Sequence, residues 1–425
     1  MKLTVIGGGS TYTPELVDGF ARLRGILPLD ELCLVDPDAH RLALVAAVSR
    51  RMFDHAGYPV RVTTTSDVVA GVRDANAVLF QLRIGGQQAR HGDETFPHAC
   101  GCIGQETTGA GGFAKALRTV PVVLELAEIV RQYAAPDAWI VDFTNPVGIV
   151  TRALLEAGHR AVGLCNVAIG FQRRFAATLD VAPEAVLLDH VGLNHLTWER
   201  AALVDGVDRL PEILATHLDE IAADIELPSR VITLLGGVVP SYYLRYFYAH
   251  DEVLAEQLVP GVLTRAQAVM EVENELLDQY ADPSVMTKPE ALSRRGGAFY
   301  SEAAVNLLAS LTADLGDTQI VNVRNDGTLP FLPDDHVIEV PATISAAGIS
   351  TATSSARVPL PDDLVGLISH VAGYERLALD AAIHGGADRV TRALLAHPLV
   401  GQYDRAARLS DLLIARNREH LAWAR

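Results

Sequence analysis

The chain opens on a short apolar run, Leu3 to Ile6, that leads straight into three glycines, Gly7-Gly8-Gly9. Apolar residues bounded by glycine read as a buried strand. Beyond the turn, Thr13 suits a helix cap and Pro14 a first helical turn, while Leu16, Val17, Phe20 and Leu23 share one helical face. Strand, glycine turn and helix in this order constrain the fold more than any other segment. Such a turn lets backbone amides approach a pyrophosphate, and the helix presents the positive end of its dipole. The expectation is a dinucleotide site built from Ile6, Gly7, Gly8, Gly9, Ser10, Thr11 and Tyr12. One position departs from the usual pattern: the slot for the third glycine, where helix packs on strand, holds Tyr12. Downstream, Glu31 to Val35 reads as a second strand, and Asp36 follows it. That acid stands about where such folds place a carboxylate for the adenosine ribose.

Further strands are predicted at Arg61–Thr64, Ala77–Leu82, Trp139–Phe143 and Ala161–Leu164. Helical patterns lie between them at Ala39–His55, Phe113–Tyr133 and Gly148–Ala157, the second kinked or broken at Pro121. This alternation predicts an α/β fold with a parallel, doubly wound sheet of Rossmann type. Gly7–Tyr12, Asp36, Arg83–Arg90, Asn145-Pro146 and Cys165-Asn166 all fall at carboxyl ends of these strands, where such sheets bind ligands. The second half reads as a larger α/β unit. It has strands at Val186–Val191, Gln319–Arg324 and Val337–Val340, a long helix at Leu263–Tyr280, and mostly helix from Asp362 onward. The expected division is near Gly170, giving a nucleotide domain over 1–170 and a catalytic domain over 171–425.

Composition narrows the class. With 425 residues the chain can hold two or three domains, and 49% hydrophobic with 20% charged residues fits a globular enzyme. A net charge of −17 argues against nucleic acid or an anionic membrane as partner. No apolar run has the length of a membrane span, and no charged-then-apolar leader precedes the first strand, so a cytoplasmic location is expected. Cys33, Cys100, Cys102 and Cys165 are too few and scattered for a disulfide framework. Cys100 and Cys102 lack the usual redox spacing and read as structural.

Cys165 closes an apolar run, and His195 follows a Gly-Leu-Asn turn. A thiolate and an imidazole can hold a divalent ion while leaving positions open for substrate oxygens. A small core residue and a hydrogen-bonding histidine are the ordinary alternative. Tyr242, Tyr243, Tyr246, Phe247 and Tyr248 form an aromatic run that reads as a buried face. A phenol serves as a base only where a cation favours the phenolate, because its ordinary pKa is about 10. The opening segment alone also fits a lactate/malate-type dehydrogenase or a non-catalytic nucleotide-binding regulator.

Seven segments taken together resemble glycoside hydrolase family 4, the NAD- and divalent-metal-dependent glycosidases. They are Gly7 to Val17, Gly104-Gln-Glu-Thr-Thr-Gly109, Phe143-Thr-Asn-Pro146, Gly163-Leu-Cys-Asn166, Gly192-Leu-Asn-His195, Tyr243-Leu-Arg-Tyr246 and Arg295-Gly-Gly-Ala298. They occur in family order along nearly the whole chain. The Cys165-Asn166 pair is similar to the branch acting on 6-phospho-β-glucosides, although Ala168 stands where that branch usually has proline. The resemblance implies a C-terminal domain like that of lactate and malate dehydrogenases. It also implies NAD and a divalent metal, manganese foremost, with Cys165 and His195 as metal ligands and Tyr243 as the base. Tyr242 and Tyr246 are the fallbacks for that base. Arg90, Asn145 and Asn166 would contact the sugar and Arg265 its phosphate, with Arg83, Arg295 and Glu106 in reserve. The implied reaction is redox-neutral: oxidation at C3, loss of the C2 proton, elimination at C1, addition of water and return of the hydride. A non-phosphorylated glycoside is the alternative substrate, and a homodimer or homotetramer the implied assembly.

Overall fold

The computed structural model describes residues 1–297 and 299–424; Ala298, which ends the Arg295-Gly-Gly-Ala298 segment, and Arg425 lie outside the described residues. Among the described residues, thirteen strands form one sheet. In chain order they are β1 Lys2–Ile6, β2 Glu31–Val35, β3 Arg61–Thr65, β4 Ala77–Phe80, β5 Trp139–Asp142, β6 Ala161–Gly163, β7 Val186–Leu193, β8 Leu196–Val204, β9 Val207–Asp208, β10 Val239–Pro240, β11 Asp317–Arg324, β12 Val337–Ser345 and β13 Gly348–Ser350. The first six run parallel in the order β3-β2-β1-β4-β5-β6, a doubly wound arrangement whose strand order reverses between β1 and β4. The near-continuous burial of β1, β2 and β4 explains their unalternating apolar sequence.

The second half joins the same sheet. β11 pairs antiparallel with β6, and β12, β7, β8 and β10 continue outward, with β13 beside β12 and β9 beside β8. Asn322 of β11 lies opposite Gly163 of β6 and opposite Glu339 of β12, and Glu339 lies opposite Gly192 of β7. One row of residues therefore crosses from the parallel to the antiparallel strands. It runs beside the loops that carry Cys165 and His195.

Helices cover both faces. Thr13–Arg22 packs against Ala39–His55 and Tyr300–Ala313, while Gly109–Tyr133 packs against Val68–Val72, Val147–Glu156 and Asp362–His384. Two local expectations need correction. Thr13 does not cap its helix from outside; it is the first helical residue, and its hydroxyl donates to the Gly8 carbonyl at 3.0 Å. Pro121 does not break its helix, which runs unbroken for 25 residues. Burial on both sides of Pro121, from Val120 to Val123, holds the helix where the missing amide alone would weaken it.

Gly163 shows how tightly the junction is packed. A β-carbon there would lie 2.2 Å from the Thr151 hydroxyl on the Val147–Glu156 helix and 2.9 Å from Cβ of Asn322. Gly163→Ala is expected to lower stability by about 1–3 kcal/mol through overpacking, read from the urea midpoint. An unchanged midpoint would refute that account of the junction.

Candidate functional site

The turn after β1 folds back on β2. The amides of Gly7 and Gly8 both donate to the Val35 carbonyl at 2.9 Å, and the Gly9 amide donates to Oδ2 of Asp36 at 3.0 Å. Gly7 has φ +86°, and a β-carbon on it would lie 2.6 Å from the Gln81 carbonyl, so only glycine fits. The turn borders a cavity of about 660 Å³ at the switch point, lined by Gly7, Gly9, Ser10, Tyr12, Asp36, Arg41, Gln81, Arg83, Lys115, Asn145, Arg295 and Tyr300 among others. Buried oxygens of Gln81, Gln87 and Asn145 in its wall accept no hydrogen bond from the protein. A ligand rich in donors would satisfy them.

Five expected nucleotide residues, Gly7, Gly9, Ser10, Tyr12 and Asp36, line the cavity. Ile6, Gly8 and Thr11 are outside that lining and build the turn from behind. Ile6 belongs to the core, Gly8 sits against Leu34, and Thr11 hydrogen-bonds to Glu273 and accepts from Arg295. Tyr12 stands in the place of the third glycine with its ring buried in the core and turned toward the second half. It packs edge-on against Tyr300 with centroids 6.2 Å apart, lies under the Arg295 guanidinium, and its hydroxyl donates to the Gly297 carbonyl.

Cys165 follows β6, and His195 occupies the β7–β8 turn with φ +62°. Neither they nor Tyr243, Arg90, Asn166 and Arg265 line the cavity beside the glycine turn; Cys165 lines a second one of about 300 Å³ with Leu164, Ala168 and Ile169. Nδ1 of His195 meets the Thr107 hydroxyl at 2.9 Å, which leaves Nε2 for another partner. Its ring stacks on Tyr243 with centroids 3.6 Å apart and planes 11° from parallel. Burial pushes the His195 pKa down to about 4, so at neutral pH the ring is uncharged with a lone pair to offer. Burial, then Glu339, pushes the Cys165 thiol up, and hydrogen bonds involving Asn194 and Tyr300 oppose that. Burial likewise raises the Tyr243 phenol, with Cys165 and Glu106 adding to it and Arg90 opposing. The fallback tyrosines differ: the Tyr242 hydroxyl accepts from Arg245, and Tyr246 is buried among Ile103, Val253 and Leu399. Asn166 stands at the N-terminal end of the Val167–Leu179 helix. Ala168 lies in the first turn of that helix, a place that also suits proline.

Glu106 gathers the cations. Its carboxylate pairs with Arg83, with Lys115 at 2.6 Å and with Arg90 at 3.0 Å. Burial alone would raise its pKa, but Arg83, Lys115 and Arg90 together hold it well below the usual range. Burial and Arg83 push Lys115 down to about 7. Arg90 also binds Glu94 at 2.7 Å. Arg265, first residue of the Arg265–Ala281 helix, is exposed and donates to the carbonyls of Arg294 and Arg295 at 3.0 and 2.9 Å. Cys100 and Cys102 take no part: all four cysteines are free thiols, and Cys102 points at the carbonyls of Cys100 and Leu399.

Lys115, Thr107, His190 and Glu339 escaped the sequence reading. Thr107 lies inside a matching segment, directly after Glu106, and that membership is its one signal in the sequence. The others sit on helix and strand positions without a local motif. His190 is wholly buried between Glu199 at 2.6 Å and Glu339 at 3.1 Å. Burial opposes its charge, but the two carboxylates prevail and lift its pKa to about 10. Among the described residues, no group of three or more His, Cys, Asp or Glu gathers as metal ligands, so Cys165 and His195 would hold an ion alone.

The fold and this geometry place the chain among α/β enzymes that work in the crevice beyond parallel strand ends. Residues 2–181 match the model of the family 4 glycosyl hydrolases, and residues 190–400 match the model of their C-terminal domain. The chain belongs to family 4 of the glycosyl hydrolases. It is 37% identical to the probable 6-phospho-β-glucosidase of Bacillus subtilis strain 168, over 99% of this chain and 97% of that protein. The 6-phospho-β-glucosidase of Thermotoga maritima, solved with manganese, NAD⁺ and glucose-6-phosphate, matches with a TM-score of 0.88 and 32% identity over 99% of each chain. Malate dehydrogenase from Salinibacter ruber shares the fold plan, with a TM-score of 0.53 at 18% identity over 89% of this chain and 97% of that one.

The two histidines are shifted in opposite directions, His190 up and His195 down. The folded value of His190 exceeds its ordinary 6.5, so its stabilising contribution is full below about 6.5 and is lost as pH rises toward 10. Lys115, depressed from 10.5 to about 7, gains stability over much of the same range, so a bulk melting curve mixes the two. Ring-labelled histidine spectra of the metal-free protein separate them. At neutral pH His190 is expected to carry both ring protons and His195 only one; a neutral His190 would contradict the assignment.

Proposed function

We propose that this chain hydrolyses 6-phospho-β-glucosides in a redox-neutral cycle that uses NAD and a divalent metal, manganese foremost. The observation that carries the reading is the stack of Tyr243 on His195, with the Cys165 thiol close enough to act on the Tyr243 phenol, so that phenol, imidazole and thiol form one cluster. The names of the relatives support the substrate class, as does the solved relative bound to manganese, NAD⁺ and glucose-6-phosphate.

The residues suit both groups. The cavity wall offers unpaired oxygens on Gln81, Gln87 and Asn145, and Asp36 stands ready for ribose hydroxyls. NAD, when bound, supplies temporary storage of a hydride. The thiol of Cys165 and the uncharged imidazole of His195 form a two-ligand site that leaves room for substrate oxygens. A divalent ion held there supplies Lewis acidity. Its binding displaces the Cys165 proton and therefore weakens as pH falls.

The chain's own residues then divide the work. Thr107 fixes the His195 ring through Nδ1. Tyr243 takes the C2 proton on its phenolic oxygen; its raised pKa means that the phenolate forms only under cationic influence, to which Arg90 contributes. Arg90, anchored by Glu94 and Glu106, Asn145 in the cavity wall and Asn166 are the residues that orient sugar hydroxyls. Arg265, exposed at the start of its helix, takes the phosphate, for which a planar guanidinium is the suitable donor. Residues 1–170 carry the nucleotide turn and 171–425 carry His195 and Tyr243. A cytoplasmic homodimer or homotetramer completes the proposal, with family resemblance as its support. No described helix is long and apolar enough to cross a membrane.

The direct test is release of p-nitrophenol from p-nitrophenyl 6-phospho-β-glucoside with NAD⁺, Mn²⁺ and reductant. Cleavage without accumulating NADH is expected; accumulating NADH would instead indicate a dehydrogenase. Cys165→Ser should abolish metal-dependent cleavage while sparing NAD binding, and full activity would refute the metal assignment. Tyr243→Phe should reduce exchange of the C2 proton with solvent by about 10²–10⁴-fold, followed by proton NMR. Exchange at the wild-type rate would place the base elsewhere.

A further inference from the structure

Behind the proposed metal ligands lies a buried polar row that the cycle above does not use. Glu339 is 1% exposed in the middle of β12. Burying an ionised carboxylate is costly unless donors surround it. Here three do: the Asn194 amide at 2.8 Å, the Asn322 amide at 2.9 Å and Nε2 of His190 at 3.1 Å. His190 is itself braced on its other nitrogen by Glu199 at 2.6 Å. The sheet register sets this up, since Asn322 and Gly192 are the direct cross-strand neighbours of Glu339 on β11 and β7. Asn194 precedes His195 in the β7–β8 turn, and its side chain lies near enough to the Cys165 thiol to oppose the rise in its pKa. One amide thus links a fixed buried carboxylate to one proposed ligand and adjoins the other in sequence.

We propose that Glu339 is a positioning residue for the metal centre, acting through Asn194 to orient the Cys165 sulfur and hold the turn that carries His195. The proposal rests on the reading of Cys165 and His195 as the metal ligands. A carboxylate that orients ligands from behind is a recurrent device, and its loss typically weakens metal binding about 10–100-fold. The arrangement also gives the row a reason to be polar. An apolar set of the same volume would pack the sheet at least as stably, because buried ion pairs contribute little net stability.

Cobalt binding to the full-length reduced protein tests this without reference to turnover. Thiolate ligation of Co²⁺ produces a charge-transfer absorption, and its growth on titration gives a Kd. Wild type should show the band, and Cys165→Ser should lose it. Glu339→Gln should keep the band with a Kd raised about 10–100-fold. Asn194→Ala should raise the Kd similarly, and the double variant should bind no more weakly than the worse single one, because both substitutions cut one link. A wild-type Kd in Glu339→Gln or in Asn194→Ala, or full additivity of the two losses, would overturn the proposal. A band that survives Cys165→Ser, or no band in wild type, would instead overturn the ligand reading on which it stands. If Glu339→Gln fails to fold, as reported by lost NAD binding, the Kd of Asn194→Ala decides alone.

Discussion

The site depends on one strand contact, the antiparallel meeting of β6 and β11 at Gly163 and Asn322. To its left every strand is parallel and serves the nucleotide turn; to its right every pairing is antiparallel. Without that contact the loop after β6 and the hairpin between β7 and β8 would belong to separate sheets. Cys165 and His195 would then have no common frame. The contact is short, and packing reinforces it: the Val147–Glu156 helix lies against β6, β11 and β12 alike. Shape at Gly163 thus governs chemistry at Cys165.

Charge is the second organising constraint. Several ionisable groups are buried near the cavity, among them Glu106, Lys115, Arg90, His190 and Glu339, and each has opposite-charge partners. Removing one partner from such a cluster typically costs about 3–5 kcal/mol, because it strands the others. The outcome is a site with fixed dipoles and little freedom to reorganise, which suits chemistry that develops charge on a sugar ring.

Much of this was legible in the sequence where local chemistry decides the structure. The Gly7–Tyr12 turn, Asp36, the strands up to β6 and the helix Ala39–His55 all follow from short-range patterns. The antiparallel half was only partly legible. β8, β9, β10 and β13 were not foreseen: β9, β10 and β13 are only two or three residues long, too short to show an alternating pattern, and β10 finds its partner β8 some forty residues back. Long-range pairing also hid Glu339, whose partner His190 lies 149 residues away and whose own surroundings in sequence look like an ordinary core strand. The break expected at Pro121 failed for a related reason: tertiary burial outweighed local preference. Tyr12 is the reverse case. It looked like a flaw in the glycine pattern because the residues it reaches, Gly297 and Tyr300, lie far along the chain.

That reach makes the two halves unequal. Thr11 is gripped by Glu273, Tyr280 and Arg295, and Tyr12 by Gly297, all from the second half. The nucleotide turn is therefore not a portable cassette. A dinucleotide-binding half of ordinary design can be cut out and grafted elsewhere; this one would leave the braces of its own turn behind. Recombination between relatives is constrained accordingly. A foreign second half must bring a matching clasp for Thr11 and Tyr12, so the halves are expected to be inherited together.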